Sequence, residues 1–310
     1  MKRAGQLAVS VLLLALALYL FDWGKLLDAL RPAHPAPFFL ALALAEAAVV
    51  VTAVRWHRLV GAVAPAPWAD HLRIYFQATF LNTFTPANIG GDLYRALALK
   101  ARAGGVIDLV VVLLRERVLG LLSFLCGYEL LFLAAYAAGG HGPMFFGSAA
   151  LAIAGALVAI GVAKALAPRF VRWERLSRLP QAGRALLRLP EALAFGGGRA
   201  FGVAMALSLA ALAIWIVAVK VVADSLGLSL PVALLGMIVV LTELIRLVPI
   251  SFQGIGVREL TFALLAGLAG AEAETGFLVG TLAYLALSLS LILAGALAWL
   301  LTLRSGDARS

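Results

Sequence analysis

The stretch TPANIGGDLYR, residues 85–95, interrupts an apolar run. Within it Pro86, Asn88, Gly90, Gly91, Asp92 and Arg95 follow one another closely, and none of them favours a continuous membrane helix. Its flanks, LRIYFQATFLNTF (72–84) and ALAL (96–99), are apolar. The break is therefore either a surface loop or irregular backbone at membrane depth, and the fold turns on which.

The chain has 310 residues, 63% of them hydrophobic and 13% charged, with a mean hydropathy of +1.01. Soluble domains lie nearer half apolar and a quarter charged. The apolar stretches are continuous and lack two-residue alternation, which predicts an all-α polytopic membrane protein rather than a β-barrel. The formal charge of +9 is concentrated in a few loops beside apolar spans. That is the pattern of topology and anionic-lipid contact, and no nucleic acid partner is expected. The single Cys126 allows no internal disulfide. His34, His57, His71 and His141 lack metal-ligand spacing. No Walker A stretch and no Ser or Cys nucleophile with a His partner is visible. GIGVRE (254–259) follows no strand and is not a dinucleotide site. No catalytic residue, metal or cofactor is assigned.

Predicted spans cover 5–21, 36–54, 106–136, 147–166, 201–222 and 276–302, the first read as a retained span rather than a cleaved signal. Two further segments are interrupted: 70–100 at Pro86–Gly91, and 231–268 at Pro249–Gly256. Lys2, Arg3, Arg55, Arg58, Lys100, Arg102 and the arginines of 168–199 mark inside loops, while 137–146, 223–230 and 267–276 lack Lys and Arg. Lys25 and Arg31 run against this pattern but are offset by Asp22 and Asp28. Both termini are expected in the cytoplasm, with the chain in the inner membrane.

This orientation starts and ends segment 70–100 inside, and segment 231–268 outside. Each arm has about 12–17 residues, short of the roughly 20 that a crossing needs. The reading is two re-entrant broken-helix hairpins. Pro86, Gly91 and Arg95 coincide with Pro249, Gly254 and Arg258 when the two breaks are laid over one another. With opposite insertion directions, this predicts an inverted repeat. Residues 1–310 then form one membrane domain, with halves 5–166 and 201–302 joined by a linker, 167–200.

Charge placement points to the site. Arg115-Glu116-Arg117 lies about ten residues into its span, near mid-bilayer at roughly 1.5 Å per residue. Glu46, Asp92, Arg95, Glu243, Arg246, Arg258 and Glu259 are also placed deep. At about 2.5–3.5 kcal/mol per central charge, they must face each other or a wet cavity. Asp92 and Arg95 share a helix face, as do Glu243 and Arg246. Arg115, Glu116 and Arg117 fan around theirs, so at least one reaches another helix. Five arginines (95, 115, 117, 246, 258) face five acids (46, 92, 116, 243, 259). One reading is a closed structural network. The other leaves arginines for a phosphate, which they bind bidentately. Helix N-termini near Asp92 and Ile255 add donors and partial positive charge. Alternatively, Asp92 only caps its helix and the prolines are kinks. PRFVRWERLSRLPQAGRALLRLPEAL (168–193) reads as an interfacial amphipathic helix on an anionic leaflet, or as a topology signal alone.

Pro-x-Asn-x-Gly-Gly-Asp-x-x-Arg (86–95), Arg-Glu-Arg (115–117) and Pro-x-Ser-x-x-Gly-x-Gly-x-Arg-Glu (249–259) together resemble the flippase-like family. This is the membrane region of lysylphosphatidylglycerol synthases and of related stand-alone membrane proteins, and the resemblance covers nearly the whole chain. It implies a helical membrane domain with re-entrant elements that moves lipids between leaflets. It carries functional roles onto Pro86, Asn88, Gly90, Gly91, Asp92, Arg95, Glu116, Arg117, Gly254, Gly256 and Glu259. Only residues 303–310 follow the last predicted span, so no aminoacyl-transferring domain and no enzyme activity is expected. Gln253 stands where the family leads one to expect a small residue.

The favoured expectation is a lipid translocase whose headgroup site uses Asn88, Gly90, Gly91, Asp92, Arg95, Arg115, Glu116, Arg117, Glu243, Arg246, Ser251, Gly254, Gly256, Arg258 and Glu259. Its ligand is a membrane lipid, an anionic phospholipid above all. The alternative is a non-transporting partner or scaffold for an envelope-lipid biosynthetic enzyme, docked through the Arg-rich linker. A membrane-embedded transferase has the acids but no recognisable donor site.

Overall fold

The computed structural model describes Gly24, Asp28 and residues 34–85, 89–139, 197–246 and 251–307. The predicted spans 5–21 and 147–166, the amphipathic stretch 168–193, Pro86, Asn88 and Pro249 lie outside these residues. Among the described residues all regular structure is helical: α1 (Pro35–Val60), α2 (Trp68–Thr83), α3 (Ile89–Leu99), α4 (Val106–Ala137), α5 (Gly198–Ser225), α6 (Val232–Arg246), a 3-10 turn (Phe252–Gly254), α7 (Val257–Leu268) and α8 (Ala273–Asp307).

Four of these helices are long and apolar enough to cross a membrane: Pro35–Val60, Val106–Ala137, Gly198–Ser225 and Ala273–Thr302. Each coincides with a predicted span. The two interrupted segments are indeed broken. The first gives helices of 16 and 11 residues, α2 and α3. The second gives helices of 15 and 12 residues, α6 and α7. Within each segment the two short helices pack on one another.

Long helices in lipid gain little from hydrophobic burial against each other, so close backbone approach decides their pairing. Ala41, Ala45, Ala48 and Ala53 make a buried small-residue seam on α1. The most extensive helix pair is α1 with α5, whose Ala204, Ser208, Leu212 and Trp215 are buried. The N-terminal part of α1 joins a core with α4, α5, α6, α7 and α8 around Tyr128, Met237, Phe262 and Tyr284. Its C-terminal part joins a second core with α2, α3 and α4 around Trp56, Tyr75 and Leu99. Helix α8 touches both α2 and α7, so it stands between the two broken pairs.

Two local features depart from the sequence reading. Arg55, read as a loop cation, lies within α1 and is buried. The helix runs on to Val60 because Trp56 and Val60 bury themselves against α2 and α3. His57 and His71 also meet, Nδ1 to Nδ1 at 2.7 Å. The Ala64 carbonyl, 3.1 Å from His71 Nε2, only accepts. His71 therefore carries its proton on Nε2, and the Nδ1–H of His57 donates to it.

Candidate functional site

The first break places α3 tightly against α2. The Gly91 N–H donates to Asn82 Oδ1 at 2.7 Å, and the Gly90 N–H to Thr85 Oγ1 at 3.1 Å. Donors at the start of α3 that lack helical partners are thereby satisfied from the end of α2. A Cβ on Gly91 would lie 2.2 Å from the Ala78 carbonyl oxygen. Only glycine lets the two backbones approach this closely.

One turn on, an alternating chain of charges begins. Arg117 Nη2 meets Asp92 Oδ2 at 2.6 Å. Asp92 Oδ1 meets Arg95 Nη2 at 2.6 Å, and Arg95 Nη1 meets Glu116 Oε2 at 2.6 Å. Glu116 Oε1 lies 3.4 Å from Arg55 Nη2, and Arg55 Nη1 donates to Ser208 Oγ at 2.7 Å. Four helices thus share one network of three guanidiniums and two carboxylates. The Arg95 guanidinium also lies 5.4 Å from the ring centres of both Trp56 and Tyr75. Arg95 is 7% exposed, with both terminal nitrogens engaged. A phosphate reaches it only by displacing a carboxylate. This part of the cluster matches the paired reading. Arg115 sits beside it on α4, half-buried.

The second break is built differently. Gln253 adopts a left-handed conformation, φ 55°, uncommon for a side chain of this kind. Its amide donates to the carbonyl oxygens of Asn82 and Thr85, both at 2.6 Å. The residue that departs from the expected small side chain therefore ties the second break to the first. Gly254 follows with φ 75°, and a Cβ there would lie 2.6 Å from Arg246 Cγ and 3.3 Å from Arg258 Cγ. Its absence lets two arginines lie side by side. Glu259, in the first turn of α7, accepts from the Gly256 N–H at 2.7 Å, closing the helix start.

Arg246 donates to Glu243 Oε2 through Nε at 3.0 Å and Nη2 at 2.7 Å. Glu243 Oε1 accepts from the Tyr284 hydroxyl at 2.8 Å. The Arg258 guanidinium stands 4.5 Å from the Tyr284 ring centre, and its nearest carboxylate, that of Glu259, is 3.6 Å away. Among the described residues the buried Arg258 Nε has no partner, and neither has the buried Ser251 hydroxyl.

Between the breaks lies a cavity of about 290 Å³. Thr79, Asn82, Thr83, Arg246, Gln253, Arg258 and Ser288 supply its polar lining, and Ile255 with Leu287 and Leu291 of α8 its apolar wall. The end of α2, the second break and α8 thus converge on one space lined by two arginines.

Residues 3–296 match the family described as the lysylphosphatidylglycerol synthase TM region. The chain belongs to that family. Neither a curated protein nor a solved structure matches it. Membership in the lysylphosphatidylglycerol synthase TM region family, with four membrane-length apolar helices, makes the chain a multi-pass membrane protein with a membrane-lipid-related role.

The structure gathers Gly90, Gly91, Asp92, Arg95, Glu116 and Arg117 at one cluster, and Glu243, Arg246, Ser251, Gly254, Gly256, Arg258 and Glu259 at the other. Among the described residues Glu46, counted with the balanced acids, joins no ion pair, and its buried Oε2 has no partner. Sequence reasoning missed Arg55, Trp56, Tyr75, Ser208 and Tyr284 as network members. An arginine or tyrosine in an apolar span is the usable signal for Arg55, Tyr75 and Tyr284. Nothing local marks Ser208, whose hydroxyl also donates to its own helix at Ala204 O.

Proposed function

We propose that the protein moves a lipid with a phosphate-bearing headgroup between membrane leaflets, without ATP. The observation that carries this reading is the 290 Å³ cavity between the two breaks, lined by Arg246 and Arg258. Arg258 is the less committed of the two, since its closest carboxylate is 3.6 Å away. A phosphate oxygen placed there completes its hydrogen bonding, and arginine forks suit that geometry.

The paired short helices support a pair of re-entrant hairpins, which we propose enter from opposite faces as an inverted repeat. Irregular backbone at membrane depth is tolerated where it lines a cavity, and Gln253 and Ile255 of the second break line one here with Asn82 and Thr83 at the end of α2. The Arg95 cluster then serves as the rigid wall that holds the first hairpin, and the Arg246–Arg258 side receives the headgroup. We place the protein in the inner membrane with both termini cytoplasmic, following the Lys and Arg distribution.

Reconstitution into vesicles with labelled phospholipid tests the proposal. Leaflet exchange should be faster in protein-containing vesicles than in empty ones. Equal rates overturn it.

A further inference from the structure

Where α1 ends and α2 begins, four aromatic rings stand in a row. Ring centre to ring centre, Trp68 lies 5.2 Å from His57, His57 4.9 Å from His71, and His71 5.3 Å from Trp56. The row runs inward: Trp68 is exposed, His57 half-buried, and His71 and Trp56 fully buried. Its inner end meets the charge network, since the Arg95 guanidinium lies 5.4 Å from the Trp56 ring centre. Two imidazoles thus join the last turn of α1 to the first turn of α2, across the turn 61–67.

The protons of this pair have fixed places. His71 Nε2 donates to the Ala64 carbonyl oxygen at 3.1 Å, which leaves its Nδ1 to accept from the His57 Nδ1–H at 2.7 Å. A first added proton goes to Nε2 of the half-buried His57. It leaves the bond between the rings intact and makes it charge-assisted. A second must go to His71 Nδ1, the one nitrogen of that ring without a proton. Two N–H donors then face each other between two cations, and the bond is lost. Besides His57, the charged groups that act on His71 are Asp70 of its own helix and Arg102 beyond α3. Asp70 is already committed: its Oδ2 pairs with Arg102 Nη1 at 3.0 Å and its Oδ1 with Arg73 Nη2 at 3.1 Å. Among the described residues no further carboxylate acts on His71 to hold a second imidazolium.

The geometry points to a pH-operated latch at the α1–α2 turn: His57 and His71 hold it closed while they share at most one added proton, and a second proton opens it. The latch is independent of the transport reading. What it governs is the seating of α2, the first arm of the first broken segment, whose far end lines the cavity at Asn82 and Thr83.

Amide hydrogen exchange of the full chain in detergent tests this. The amides to read are those of Val63, Ala64, Asp70 and His71, which donate to the carbonyls of Val60 and Pro67. After correction for the intrinsic pH dependence of exchange, opening should rise below about pH 6.5, the ordinary imidazole range. The rise should approach tenfold per pH unit, the slope of one linked proton. Amides of α7 should show no such rise, which separates a local opening from global unfolding. His57→Asn keeps a donor near the Nδ1 position and can turn its amide oxygen toward a protonated His71. Its turn should stay closed from pH 7.5 to pH 5. His71→Gln removes the site of the second proton and should give the same flat profile. If His71→Gln fails to fold, the His57→Asn profile alone decides. No slope in the unmodified protein, or a slope that survives either substitution, overturns the latch.

Discussion

The Gln253 side-chain amide donates to the Thr85 carbonyl oxygen at 2.6 Å, across 168 positions of sequence. With its second bond to Asn82 O, which also accepts the Thr85 N–H at 3.2 Å, it supplies a donor for the Thr85 carbonyl just past the end of α2. Gln253→Ala should therefore lower stability in detergent by about 1 kcal/mol, the net worth of a hydrogen bond lost at a part-buried acceptor. Gln253→Gly removes the left-handed strain as well and should lose less. An unchanged melting temperature for the alanine variant would show that the tie is not structural.

Arg95 holds Asp92 and Glu116 together between two aromatic rings. Arg95→Ala leaves both carboxylates short of a partner in a buried setting, so it should destabilise by about 3–5 kcal/mol. Arg95→Ala combined with Glu116→Ala should cost less than the sum of the two single changes. Melting curves of the four proteins check the coupling. Strict additivity would sink it.

Gly254→Ala puts a methyl group 2.6 Å from Arg246 Cγ in a backbone conformation that only glycine adopts freely. The arginine pair must separate. Lipid exchange should fall by roughly tenfold, the loss expected when a positioning shell shifts by about 1 Å. Wild-type exchange from this variant would remove Arg246 and Arg258 from the proposed site.

Arg258 separates transport from scaffolding. Arg258→Ala should slow exchange in vesicles, and Arg258→Lys should restore little, because an ammonium does not reproduce the guanidinium fork. Replacing Arg169, Arg172, Arg175 and Arg178 should leave vesicle exchange intact. The reverse pattern favours a docking role for the linker.

Glu46 is a carboxylate within a membrane-length helix that joins no ion pair among the described residues. Glu46→Gln removes a charge whose burial costs about 2.5–3.5 kcal/mol in a span centre. It should be neutral or stabilising in thermal unfolding, unlike Glu116→Gln, which weakens two ion pairs. A large loss of stability from Glu46→Gln would mean that its charge is compensated.

Much of this molecule is local, and local features are legible in a sequence. Apolar runs long enough for the bilayer determined the four described long helices. Pro86 to Gly91 and Pro249 to Gly256 determined where the two remaining segments break. The pairs Asp92–Arg95 and Glu243–Arg246 followed from a spacing of three, which any helix converts into contact. What the tertiary structure alone decided is which distant groups complete those pairs. Arg55 left its expected loop for Glu116 and Ser208 because Trp56 and Val60 draw the helix onward into the core. Tyr284 reached Glu243, and Gln253 reached α2, because α8 and the second break pack where chain periodicity carries no record. Helix partners separated by more than a hundred residues are chosen by the fit of seams such as Ala41 to Ala53 against α5, and that fit exists only once the helices are assembled.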